Sequence, residues 1–281
     1  MEVLASSTEM GQGVLTAFSQ IVAEALAVPE SIVRAALPDT SRVPDSGPTV
    51  ASRSTIVVGG LLVRAGAALV ESMEASLGAG TARDGEGFVT AAGERLTWAE
   101  AASRAGSLSV EVEHEVDPDQ RWDDGSFRGT AYPVFSWGAA AVEVEVDPGT
   151  FVVTPVKVWL AYEVGRAVNP AGVRGQLEGG SLQALGWALS ERLGLREGRW
   201  IENRLQTYVI PTSAAVPQVD LDVVEIPFAP GPGGAKGIGE LPMNAVAAAV
   251  RNAVRHATGL RPDGIPMTPE ALLDLAGRAG R

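Results

Sequence analysis

The sequence predicts an α+β fold of two closely packed α/β lobes with mixed sheets. Three observations predict it. Apolar residues recur at helical spacing towards both ends of the chain, a period-two alternation fills the middle, and the elements are separated by short glycine clusters, with no long linker. The 281 residues exceed the ~150 typical of one lobe, and a hydrophobic content of 46% is ample for a core.

Residues 16–27 read as a helix, because Phe18, Ile21, Val22 and Leu26 fall on one face and Pro29 stops the pattern. Residues 38–48 are a loop bounded by prolines. Residues 49–73 open with small hydroxyl side chains and continue as an Ala/Val/Leu-rich helix, since no strand reaches that length. Its longest apolar stretch, 56–70, is 15 residues with Arg64 inside, too short and too interrupted for a bilayer span. Residues 79–87 are a glycine-rich break. Thr97 and Glu100 have capping-box spacing and start a short helix over 98–105. Apolar and charged residues then alternate over 107–115 and 141–164. Asp147-Pro148-Gly149 is a turn, so 141–146 and 151–162 form a β-hairpin. Helices return at 173–192 and 243–258, the second fed by a glycine-rich loop over 232–239. A last short helix follows Thr268-Pro269-Glu270.

Composition removes several function classes. Acidic residues outnumber basic ones 34 to 22, a net charge of −12, which opposes non-specific nucleic-acid binding. Without cysteine the chain itself holds no disulfide, thiolate zinc site or iron–sulfur cluster. His114, in an alternating Glu/Val run, and His256, near a helix end, are too few for a histidine metal site or a Ser-His-Asp triad, and no G-x-S-x-G elbow occurs. The first residues carry neither a basic nor an apolar leader segment. The expectation is a cytoplasmic protein without membrane or nucleic-acid partners.

Glycine is frequent, 33 residues against a usual ~7% of a chain, and it is clustered. In Thr8-Glu9-Met10-Gly11-Gln12-Gly13, two glycines around an amide permit close backbone approach to a ligand, and the helix that follows offers a positive end to an anion such as a phosphate. An ordinary strand-to-helix turn reads the same way. In Ala51-Ser52-Arg53-Ser54-Thr55, hydroxyls and a guanidinium at a helix start make a phosphate cradle, or Ser52 or Ser54 simply caps the helix. Gly179, Gly180 and Gly186 each cost about 1 kcal/mol relative to Ala inside a helix, which implies close packing against another backbone or a flat ligand. Finally, 231–242 is neither a Walker A loop nor GxGxxG; it presents Glu240 at the end of a tightly folding backbone, where an acid also serves to compensate a helix dipole.

Taken in order, TEMGQG, PTVASRST, Val164-Gly165-Arg166-Ala167-Val168-Asn169-Pro170 leading into GQLEGG, GAKGIGE and Ile265-Pro266-Met267-Thr268-Pro269-Glu270 resemble the molybdopterin-binding subunit of the xanthine dehydrogenase/aldehyde oxidase family. The resemblance is to its C-terminal half, the second molybdenum-cofactor-binding domain, and covers almost all of 1–281. It implies that Glu240 is the catalytic carboxylate, a general base that takes the proton from the attacking oxygen, while the cofactor carries the redox chemistry. It implies that Met10, Gly11, Gln12 and Gly13 line the pterin and that Ala51, Ser52, Arg53 and Ser54 bind its phosphate or nucleotide. Gln176 lies near the dithiolene or metal, and Ile238 and Gly239 flank the site. No side chain ligates the metal, which the pterin dithiolene holds.

The family's N-terminal half, with further cofactor and substrate contacts, has no counterpart in these residues. The expectation is that a separate N-terminal molybdenum-domain subunit supplies it, or that the chain is a truncated product. With no cysteine here, the [2Fe-2S] clusters and FAD of the family belong to an iron–sulfur subunit and a flavin subunit. The cofactor is molybdenum–molybdopterin, bare or as its cytosine dinucleotide. The implied reaction is hydroxylation of a nitrogen heterocycle, a purine as in xanthine dehydrogenase, with water as oxygen source. Aldehyde, nicotinate or carbon monoxide dehydrogenase activity and a non-catalytic cofactor-binding module are the alternatives.

Overall fold

The computed structural model describes residues 1–115 and 121–279. The chain divides into two compact units, each assembled from separate stretches. The first comprises Met1–Phe135, Gly165–Asn169 and Ile226–Gly237; the second comprises Ser136–Val164, Pro170–Glu225 and Ile238–Arg281.

In the first unit a short parallel pair, β1 (Glu2–Val3) and β2 (Arg34–Ala35), flanks helix α1 (Val14–Ala25). The anticipated face is the buried one: Phe18, Ile21, Val22 and Leu26 pack with Val3, Ala5, Val33 and Val58. The helix stops before Pro29. Ala27 turns left-handed (φ 45°), and the bonds from Val28 N–H to the Ala23 carbonyl and from Ala27 N–H to the Glu24 carbonyl form a Schellman closure.

Residues 49–52 are not helical, because Ala51 and Ser52 both adopt φ 53°. Helical structure starts at Ser54 with a π turn, Ser54–Val58, and continues as α2 (Gly59–Leu77). Together they run 24 residues and contain an 18-residue stretch with a mean hydropathy of 1.7, long and apolar enough by length and composition alone to cross a bilayer, which corrects the length argument drawn from 56–70. Within the unit this is a packing helix: Gly59 rests on Ile21 and Pro232, Gly66 on Leu26, and Met73 is buried. Arg64 donates to the Glu113 carbonyl at 2.8 Å.

An antiparallel meander, β3 (Ala82–Arg83), β4 (Gly87–Val89) and β5 (Arg95–Thr97), leads into α3 (Trp98–Ala105). The capping box is present in full: Thr97 Oγ1 accepts from Glu100 N–H, and the Glu100 carboxylate accepts from Thr97 N–H at 2.8 Å. Thr97→Ala is expected to cost about 1 kcal/mol, read as roughly fivefold faster amide exchange over 98–105; an unchanged rate would remove the box as the nucleus of α3.

Residues 107–115 keep their alternation, with Leu108, Val110 and Val112 half-buried, yet form no strand, because no ladder partner lies beside them among the described residues. A small hairpin, β6 (Trp122–Asp123) and β7 (Arg128–Gly129), follows.

The second unit is built on the anticipated hairpin, β8 (Gly138–Val146) and β9 (Val153–Glu163). Its turn is set by the Asp147 carboxylate, which accepts from the N–H groups of Gly149 and Thr150. The covering helix α4 (Pro170–Leu189) starts at the proline, three residues earlier than the periodicity indicates. A minor hairpin, β10 (Leu195–Arg196) and β11 (Arg199–Trp200), comes next. Strand β12 (Gln218–Val224) then lies parallel to β9, making the sheet mixed in the order β12-β9-β8. Helix α5 (Met243–Thr258) has the expected limits and packs on β8 and α4, and α6 (Pro269–Ala279) closes the unit. Val158, Leu160 and Tyr162 line the buried sheet face, where Val246, Val250 and Val254 of α5 are also fully buried. On the opposite face Lys157 pairs with Asp220 at 2.6 Å and sits 4.9 Å from the Trp159 ring centre.

Candidate functional site

The first unit gathers three of the motifs. Side-chain hydroxyls join the segment entering residues 8–13 to the loop before Ala51. Ser6 N–H donates to Ser46 Oγ (3.0 Å), Ser46 N–H to Ser6 Oγ (2.7 Å), and Thr8 N–H to Thr49 Oγ1 (2.8 Å). Sequence reasoning missed these stitches, which link residues forty apart and leave no local signal.

In residues 8–13 the amino end of α1 is already occupied. One Glu9 carboxylate oxygen accepts from Gly11 N–H (2.9 Å) and Gly13 N–H (3.0 Å), and the other accepts from Leu15 N–H (3.2 Å). Burial pushes this carboxyl up, but hydrogen bonds from the backbone of Gly13, Leu15, Gly11 and Val14 outweigh it and hold the group below the ordinary carboxylate range. The anion expected at this helix end is therefore the protein's own. Gln12 likewise turns inward, its Oε1 accepting from Met10 N–H (2.6 Å) and its Nε2 donating to the Thr8 carbonyl (2.7 Å). Gly11 and Gly13 have φ 102° and 79°, and a Cβ on either would meet open space, so the turn presents a bare backbone edge. Met10 beside them is exposed.

The second motif resolves the other way. The cap position is held by Arg53, which makes no side-chain cap bond, and the first turn contains no acidic residue. Arg53 anchors the loop, its Nη1 donating to the carbonyls of Ser46 (2.7 Å) and Pro48 (3.2 Å). Two consecutive non-glycine residues at φ 53°, Ala51 and Ser52, are strained backbone of the kind that persists only where the surroundings enforce it. Gly237 lies directly against this turn: a Cβ there would lie 1.6 Å from the Ser52 carbonyl oxygen. The glycine loop thus presses backbone to backbone on the Ala51–Ser52 turn. Arg166 steadies the other side of that loop, donating to the Gly233 carbonyl and to Glu24 (2.6 Å).

The second unit holds Gln176, Ile238, Gly239 and Glu240. Gln176 is half-buried on α4, one turn before Gly180. A Cβ on Gly180 would lie 2.4 Å from Pro242 Cγ, and the Tyr162 hydroxyl donates to the Pro242 carbonyl at 3.3 Å. Pro242 is therefore held from two sides, two residues beyond Glu240. Gly186 packs on Pro211 and Glu191, while Gly179 faces open space, so the three helical glycines divide between packing and an open edge. Glu240 is exposed and precedes α5, whose first turn carries no acid.

A family model described as a molybdopterin cofactor-binding domain matches residues 1–217. The chain belongs to that family. The domain is 32% identical to a probable xanthine dehydrogenase subunit of Bacillus subtilis, over 97% of this chain and 37% of the relative. It is 30% identical to the gamma subunit of the 6-hydroxypseudooxynicotine dehydrogenase complex of Paenarthrobacter nicotinovorans, over 96% and 35%. Among solved structures, the aldehyde oxidoreductase of Desulfovibrio gigas matches 98% of the domain with a TM-score of 0.82 and 26% identity, 29% of that chain being covered. These relatives identify the domain with the molybdenum-binding part of the xanthine dehydrogenase/aldehyde oxidase family. The domain spans a little over a third of the length of the curated relatives it matches.

Proposed function

We propose that residues 1–281 are the second molybdenum-cofactor-binding domain of a molybdenum hydroxylase that oxidises a nitrogen heterocycle, a purine, with water as the oxygen source. The observation that carries this reading is Glu240, an exposed carboxylate placed before α5 on a loop fixed two residues later by Pro242. The backbone cradle fits a pterin. The Gly11–Gly13 edge leaves room for a flat ligand, with nothing within 4 Å of where a Cβ would stand on either glycine, and the Ala51–Ser52 turn is held in a left-handed shape beside Gly237.

Met10, Gly11, Gln12 and Gly13 would line the pterin, with Gln12 bracing the turn from within. Ala51, Ser52, Arg53 and Ser54 would take its phosphate or cytosine nucleotide at the uncapped helix start. Gln176, Ile238 and Gly239 would flank the metal end, whose molybdenum the pterin dithiolene holds. When bound, molybdenum–molybdopterin supplies the two-electron redox chemistry. Glu240 would accept the proton of the oxygen nucleophile and hold it through the step.

Electrons would leave through [2Fe-2S] and FAD centres on partner subunits, and an N-terminal molybdenum domain would complete the site. The relatives' names, among them the gamma subunit of a dehydrogenase complex and the large subunit of a nicotine 6-hydroxylase, support an assembly. So does the exposed apolar surface: Phe127 is 76% exposed, Trp137 74% and Leu205 84%. The setting proposed is the cytoplasm. A nitrogen heterocycle is favoured because xanthine and 6-hydroxypseudooxynicotine in the relatives' names are nitrogen compounds of that kind; the aldehyde oxidoreductase match supports the second reading.

The test is purification from a molybdenum-replete host carrying the neighbouring genes. Near-stoichiometric molybdenum, an iron–sulfur partner and turnover of hypoxanthine in preference to an aldehyde are expected. Reproducible absence of metal and partners would leave a non-catalytic module. On its own the chain is expected to self-associate and to be inactive; a monodisperse monomer in size exclusion that retains molybdenum would contradict the assembly.

A further inference from the structure

We infer that Glu9 is the positioning residue of the pterin-side loop: its carboxylate occupies the amino end of α1 and thereby sets the backbone of residues 10–13. The inference rests on the molybdopterin reading above. Its physical basis is an accounting of backbone donors. The first N–H groups of a helix have no partner inside it, and here those of Gly13 and Leu15, with that of Gly11 in the preceding turn, all converge on one carboxylate.

Among the described residues no strand pairs with residues 8–13, and both glycines sit at positive φ, a choice that glycine alone does not enforce. Gln12 closes the loop from the other side, through Met10 N–H and the Thr8 carbonyl. With both polar side chains turned inward, the surface left for a ligand is the peptide edge that Glu9 orients. Glu9 thus acts through the loop and touches no ligand itself.

The test compares Glu9→Ala and Glu9→Gln with the wild type as full-length chain, co-expressed with its partners in a molybdenum-replete host. Two readings are taken: amide exchange over 8–16, and pterin released per chain, measured by fluorescence of its oxidised form. Glu9→Ala is expected to exchange about tenfold faster over 8–16, with α2 unchanged, and to retain several-fold less pterin. Glu9→Gln, which keeps one acceptor, is expected to fall between. Wild-type exchange and pterin content in both variants would overturn the inference. Faster exchange throughout Glu9→Ala would signal global unfolding, and Glu9→Gln then decides. A wild-type preparation devoid of pterin would overturn the molybdopterin reading instead, while the exchange difference still decides whether Glu9 holds the loop.

Discussion

Glu240→Gln is expected to lower turnover about 10²–10⁴-fold, the usual scale for loss of a general base, while molybdenum and pterin contents stay at wild-type levels. The amide has the size of the carboxylate but almost no basicity, so it keeps shape and removes proton acceptance. Folding should tolerate the change. The main-chain bond from Met243 N–H to the Glu240 carbonyl (3.2 Å) does not involve the side chain, and Pro242 remains fixed between Gly180 and Tyr162. The measurement is steady-state kcat with metal analysis on the same sample of the assembled enzyme. Unchanged turnover at equal metal loading would remove Glu240 from proton transfer. Lost turnover together with lost metal would make it a cofactor-retention residue.

The carboxylate was legible in the sequence as a position, because GAKGIGE has one acid at its end. Its place ahead of the helix was not: that depends on α5 beginning only at Met243. The same division runs through the fold. Elements whose limits are written locally were read closely, α5 by its amphipathic period and α3 by its capping box. Elements defined by a distant partner were not. Strand β12 alternates Val219, Leu221 and Val223 with Asp220 and Asp222, yet its parallel place beside β9 follows from the whole sheet. Residues 107–115 show the converse, a clear alternation without a partner and hence without a strand among the described residues.

At the site, sequence reasoning found the two anion-friendly helix starts but could not rank them. An acid a few residues before a helix is common, and only the fold brings Glu9 back onto the N–H groups of Gly13 and Leu15. The start at Ser54 stays without a side-chain cap, because the residues before it are taken up by the left-handed turn at Ala51 and Ser52.

That turn makes Gly237→Ala the second large effect. The added methyl would stand 1.6 Å from the Ser52 carbonyl oxygen and 2.7 Å from its carbon, and both are backbone atoms that no rotamer change can move aside. Either the glycine loop retreats or Ala51 and Ser52 relax out of φ 53°, and in both cases the edge proposed for the pterin phosphate is lost. Overpacking of this kind costs about 1–3 kcal/mol and sometimes more, so a lower unfolding temperature is expected together with a large loss of bound pterin. Gly60→Ala is the matched control. It also adds one methyl, but to a helical position with nothing within 4 Å, where the change is expected to stabilise by about 0.4–1 kcal/mol by narrowing the unfolded ensemble. Calorimetry and released-pterin fluorescence on the two variants separate the outcomes. Opposite shifts in unfolding temperature, with pterin lost only from Gly237→Ala, would tie cofactor retention to the backbone contact at Ser52. Wild-type pterin in Gly237→Ala would remove that contact from the cofactor site and leave it a packing feature of the first unit.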